Sequence, residues 1–205
     1  MPHFKFPSHY VYWGQVKDHK NIKSKLLPII HNLISKNKYT NPFEECKMTT
    51  NFSKKIDFIN RETMDKIIWP HIEEMVSETK CFAHLKPLDA IVKDYWFNVY
   101  QKGDFQEMHS HQGLPEERSG KRYDNIFSVI YILHGEESSP VKFRLDNIEI
   151  PFYPMKHIIY FDTSKVDDIK EGTILIFSSQ LNHTVIPVKT NGRVSIAFNI
   201  ACCFE

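Results

Sequence analysis

A mainly β fold, a sandwich or barrel with N-terminal helices packed on one sheet, is predicted by three observations. Apolar residues recur every three to four positions in the first ninety residues, and from Ala90 onward the period shortens to two. Turn-forming and charged segments then cut the second half into seven short apolar runs, the pattern of an all-β architecture following a helical start.

The first helix is expected in IKSKLLPIIHNLI, where Ile22, Leu26, Ile30, Leu33 and Ile34 form one stripe and Pro28 must either kink the segment or mark a helical start. A second stripe, Met64, Ile67, Ile68, Ile72, Met75 and Val76, follows Asn60, whose short polar side chain suits an N-cap, and Glu62 and Asp65 favour the positive end. Pro70 interrupts it, so a kink or two helices are expected. Strands are read at residues 95–100, 127–133, 141–145, 157–161, 172–178, 183–188 and 193–204. Residues 112–125 are the only long polar loop of this half, either a lid or a solvated hairpin connection.

The 205 residues fit a single domain, 1–205, with a helical part at 1–89 and a β core at 90–205. Twenty-six basic residues against 25 acidic ones give a net charge of +1, which disfavours nucleic acid as a partner. No run reaches the roughly 18 apolar residues of a membrane span, and MPHFKFPSHYVYW has no apolar core behind a basic start. A cytoplasmic chain with reduced thiols is therefore expected. The four cysteines, Cys46, Cys81, Cys202 and Cys203, form no regular framework, and Cys202 and Cys203 alternate across any strand, so at most one of them is expected in the core.

Of eleven histidines most are scattered, and a lone one such as His31 or His71 is expected at the surface or in satisfied packing. His109 and His111 stand two apart, so in an extended segment both rings project from one face; Glu107 shares that alternation and competes as a ligand. His183 opens a later strand. Three such donors can occupy one face of an octahedral metal and leave three positions for substrate or O2. Arg193 lies ten residues beyond His183, room for a strand to end, a Thr-Asn-Gly turn to reverse the chain and the next strand to run antiparallel alongside. Arg193 and Ser195 share a face, while Val194, Ile196, Phe198 and Ile200 point the other way. In a chain with only five arginines, a guanidinium fork beside a hydroxyl suits a bidentate grip on a carboxylate.

The ordered set Trp96–Val99, His109–His111, Ser128–Ile132, Gly172–His183 and Arg193–Ser195 resembles the Fe(II)- and 2-oxoglutarate-dependent oxygenases. It is most similar to the prolyl-hydroxylase-like members and to a bacterial and phage branch. The resemblance covers roughly residues 90–200 and implies a double-stranded β-helix, a jelly roll of cupin type, with helices packed on the larger sheet. It further implies Fe(II) and 2-oxoglutarate as cofactors, with His109 and His183 as iron ligands and His111 at the position of the second ligand. Arg193 would pair with the far carboxylate of 2-oxoglutarate, with Ser195 assisting and Tyr100 in contact. Trp96 and Asn98, which alternate with Tyr100, and Tyr131 are assigned to substrate or cosubstrate contact. The reaction implied is hydroxylation of a C–H bond with release of succinate and CO2.

Two departures from the family pattern stand out. Its second ligand is usually Asp or Glu, not His, and Ile132 stands where a second cosubstrate tyrosine is common. An imidazole in place of a carboxylate leaves the iron site one unit more positive. The alternatives are a three-histidine, cupin-like dioxygenase that uses no 2-oxoglutarate, and a non-catalytic jelly roll whose metal only clamps strands. The substrate stays open among peptidyl proline, an amino acid and a small metabolite. Trp13, Tyr95, Trp96 and Tyr123 are candidates for an apolar pocket, with core packing the competing reading.

Overall fold

A computed structural model describes residues 10–37, 39, 48–54, 56–80, 87–135, 140–149 and 156–204. Cys46 and Cys81 lie outside the described residues. In chain order the elements are β1 (Val11–Gln15), α1 (His19–Lys36), β2 (Thr49–Thr50), α2 (Arg61–Thr79), β3 (Asp89–Tyr100), β4 (Gln106–His109) and β5 (Glu116–Arg118). They continue with β6 (Lys121–His134), β7 (Val141–Glu149), β8 (Lys156–Asp162), β9 (Thr173–Ser178), β10 (Asn182–Val185) and β11 (Arg193–Cys203).

Both helices form where the apolar stripes predict. Ile22, Leu26 and Ile30 of α1 and Ile67, Ile68, Ile72 and Met75 of α2 are buried. The Asn60 side chain accepts a hydrogen bond from the Thr63 amide at 2.8 Å, closing the open end of α2. Pro70 does not divide the segment: residues 61–79 are one helix, because the stripe docked on the sheet outweighs the single backbone hydrogen bond that a proline removes. His71 is buried in α2 with its ring beside the Tyr12 hydroxyl, the satisfied packing role expected of it.

The strands make two antiparallel sheets, as in a double-stranded β-helix. The larger runs β1-β9-β6-β11-β3-β2, with β5 attached to β6; the smaller runs β4-β10-β7-β8. One core lies between the helices and the larger sheet and includes Phe97, Val129, Ile176 and the Val194, Ile196, Phe198, Ile200 face of β11. The second lies between the sheets, around Tyr100, Ile132, Phe143, Phe177 and Val185. A central strand covered on both faces reads as an unbroken apolar run, and β11 is buried at all 11 positions.

Three expectations are corrected by this arrangement. The N-terminal part is not wholly helical, since β1 pairs with β9 from Val11↔Phe177 to Gln15↔Thr173; its partner lies far along the chain, so no local pattern announces it. Cys202 and Cys203 are both buried, because their strand is covered on both sides. The third concerns the link from His183 to Arg193: β10 and β11 are not neighbours, for β10 pairs with β4 and β7 and β11 with β3 and β6. The connection crosses between sheets, so Arg193 meets the histidines across the interior of the sandwich. Residues 112–125 contain a hairpin in which Arg118 pairs with Lys121 through Ser119 (φ 51°) and Gly120 (φ 74°), the two positive angles of a tight two-residue turn.

Candidate metal and cosubstrate site

His109 ends β4 and pairs directly with His183 of β10. His111 follows two residues later, its amide bound to the Ser179 carbonyl at 2.8 Å. The three rings offer nitrogens that all lie within 4.8 Å of one another. Glu107 does not join them; it meets His109 through its backbone carbonyl. The reason is a bulge. His183↔His109 and Val185↔Gln106 are successive matches, so three steps along β4 face two along β10. That breaks the alternation which would set Glu107 beside His109 and turns Gln106 inward in its place.

Each imidazole has its tautomer fixed from behind. Nδ1 of His109 faces the Glu107 carbonyl at 2.8 Å, that of His183 the Leu181 carbonyl at 3.2 Å, and that of His111 the Asn199 amide oxygen at 2.8 Å. An oxygen acceptor there requires a proton on Nδ1, which leaves an Nε2 lone pair on every ring. Burial lowers all three pKa values; for His111 burial, then the neighbouring His109, bring it to about 4 despite the Asn199 hydrogen bond. At neutral pH the cluster is therefore three neutral donors. The Nε2 atoms of His109 and His111 stand 3.1 Å apart with no proton to share. Two nitrogens about 2.1 Å from one ion and at right angles to it would be about 3.0 Å apart.

Across the sandwich, Arg193 is 1% exposed, its guanidinium carbon 4.9 Å from the centre of the Tyr100 ring. Gly135 (φ 134°) makes room for its stem: a Cβ there would fall 2.9 Å from Arg193 Cγ. A narrow cavity of about 10 Å³ joins Arg193, Ser195, Tyr100, Asn98 and Trp96 to the three histidines. Asn98 lines the same cavity, and its Oδ1 is buried with no hydrogen-bond partner among the described residues. Trp96, Gln106, His109 and His111 also line an outer cleft of about 660 Å³ with Phe52, Asp57, Tyr95 and Asn125.

Tyr131 is not in this site. It pairs with Ile196 on the helix-facing side of the larger sheet, where its hydroxyl meets His19 Nδ1 at 2.6 Å. There His19 and Lys23 of α1, together with His134, surround Glu171. Burial alone would raise the Glu171 pKa, but those groups and the Gly135 amide hold it at about 2. Tyr131 thus helps dock α1. Trp13 and Tyr123 are elsewhere too, stacked on Phe161 and bound to Asp89.

Residues 94–199, about half of the chain, match the family described as "Putative 2OG-Fe(II) oxygenase". The chain belongs to that family. Solved structures share the oxygenase's fold at low identity. A viral collagen prolyl hydroxylase from Paramecium Bursaria Chlorella virus-1, in its 2-oxoglutarate complex, is 14% identical with a TM-score of 0.52, over 93% of this chain and 96% of that one. A Pseudomonas putida prolyl-4-hydroxylase is 14% identical with a TM-score of 0.52, over 97% and 94%. HygX from Streptomyces hygroscopicus, with nickel and 2-oxoglutarate bound, is 10% identical with a TM-score of 0.54, over 93% and 81%. No curated relative matches the sequence.

The oxygenase family uses Fe(II) and 2-oxoglutarate, and the residues present fit both. Three converging lone pairs suit the ion, and a buried guanidinium on the same cavity suits a carboxylate. Sequence reasoning missed Gln106 and Asn199. Asn199 was within reach, for it continues the Arg193, Ser195, Ala197 alternation to the back of His111. Gln106 was not, because the bulge that turns it inward leaves no mark on the sequence. No helix among the described residues is long and apolar enough to cross a membrane.

Proposed function

We propose that this oxygenase hydroxylates a C–H bond of a substrate seated in the outer cleft, with 2-oxoglutarate converted to succinate and CO2. One observation carries the reading: three imidazoles with Nε2 lone pairs converging, and a buried arginine, line a single cavity. His109, His111 and His183 would hold Fe(II), which when bound supplies the activation of O2. Arg193 would grip the far carboxylate of 2-oxoglutarate through its fork, its plane steadied on the Tyr100 ring, with the Ser195 hydroxyl adding a hydrogen bond.

Neutral imidazoles leave the ion's double charge uncompensated, which together with Arg193 favours a dianionic cosubstrate. Asn98 and Trp96 border the same cavity, the amide as a hydrogen-bonding group and the indole as a wall that keeps water from the metal. The cleft beyond Trp96 would take the substrate, with Phe52, Tyr95 and Asn125 in its lining. Purified chain with Fe(II), O2 and 2-oxoglutarate is expected to form succinate, slowly without substrate and faster with one. Consumption of O2 with no succinate would contradict the proposal and favour three-histidine chemistry without 2-oxoglutarate.

A further inference from the structure

Gln106 stands between the two cavities, and its amide is held at both ends. The Tyr100 hydroxyl donates to its Oε1 at 3.2 Å, and its Nε2 lies 3.2 Å from Nε2 of His109. The proton of His109 is on Nδ1, facing the Glu107 carbonyl, so the amide is the donor and the imidazole lone pair the acceptor. A lone pair serves one partner at a time. An ion bound at His109 takes that lone pair and releases one end of the amide.

The inner cavity, about 10 Å³, has room for roughly one water and far less than a dicarboxylate needs. Something on its wall must move before a cosubstrate reaches Arg193. Trp96 is braced by two rings, Phe52 at 5.0 Å and His111 at 5.4 Å. Gln106 is an unbranched side chain, and one of its two holds is on the metal-facing nitrogen itself.

We propose that Gln106 is a gate which metal loading opens: its amide caps His109 and closes the cavity, and an ion at His109 would free it to swing aside. The proposal rests on the metal and cosubstrate assignments above.

The test uses the full chain as wild type, Gln106→Leu and Gln106→Ala. Each is titrated anaerobically with Co(II), whose visible absorption reports binding, and separately, free of metal, with 2-oxoglutarate by calorimetry. Leu keeps the bulk and loses the hydrogen bond; Ala loses both. Both variants are expected to bind Co(II) about fivefold more tightly, having no hydrogen bond to give up. Only Gln106→Ala is expected to gain metal-free affinity for 2-oxoglutarate, by about tenfold, as the open state becomes the resting one.

Co(II) affinity unchanged or weakened in both variants overturns the gate, weakening meaning that the amide assists the metal. Metal-free 2-oxoglutarate binding as strong in wild type as in Gln106→Ala overturns it as well. A wild type that binds no Co(II) at all instead removes the metal assignment on which the gate depends.

Discussion

Arg193→Ala is expected to weaken 2-oxoglutarate binding to the metal-loaded chain by about a hundredfold or more while Co(II) binding stays within about threefold. The guanidinium is fully buried, so an ion pair formed there is not screened by water, and breaking such a pair costs about 3–5 kcal/mol. Arg193→Lys should recover part of the loss, since it restores the charge without the planar fork. The retained Co(II) signal shows that the fold survives. Isothermal titration of each loaded variant with 2-oxoglutarate reads the effect, and affinity unchanged in Arg193→Ala would remove the arginine from the cosubstrate site.

The second large effect is expected at the metal. His183→Ala should lower Co(II) affinity by more than about a hundredfold, because residues only one contact removed from a metal ligand already cost about 10- to 100-fold. His183 is 2% exposed and pairs with His109 across adjacent strands, so the remaining histidines cannot close over its place without disturbing the smaller sheet. In the wild type the affinity should persist to lower pH than a site built from free imidazoles would allow. The sign follows from burial: His111 is depressed to about 4, so protons compete for its lone pair only as the pH nears that value, well below the roughly 6.5 of a free imidazole. Titration of both proteins over that range measures both effects.

The parts of the site on regular strands were legible in the sequence. Arg193 and Ser195 could be set apart from Val194 and Ile196 because β11 alternates strictly; His109, at the end of β4, and His111, just beyond it, could be paired by spacing alone. The helices were legible because an amphipathic stripe is a local property. Pairings between distant strands were not. That β10 and β11 lie in opposite sheets depends on β4 and β7 claiming both edges of β10, which no local pattern encodes. Tyr131 was misassigned because a strand covered on both faces shows apolar residues throughout, so its sequence does not say which side carries the chemistry. A bulge breaks the alternation that made Glu107 a candidate ligand beside His109.

On this reading one cavity would hold both the metal, at His109, His111 and His183, and a carboxylate, at Arg193. Anaerobic addition of Fe(II) and then 2-oxoglutarate tests it most directly, because a weak visible charge-transfer band arises only when the cosubstrate binds the iron itself. Such a band is expected, saturating at one 2-oxoglutarate per chain and lost in Arg193→Ala. Iron bound with no band on saturation, or a band unaltered by Arg193→Ala, would contradict it.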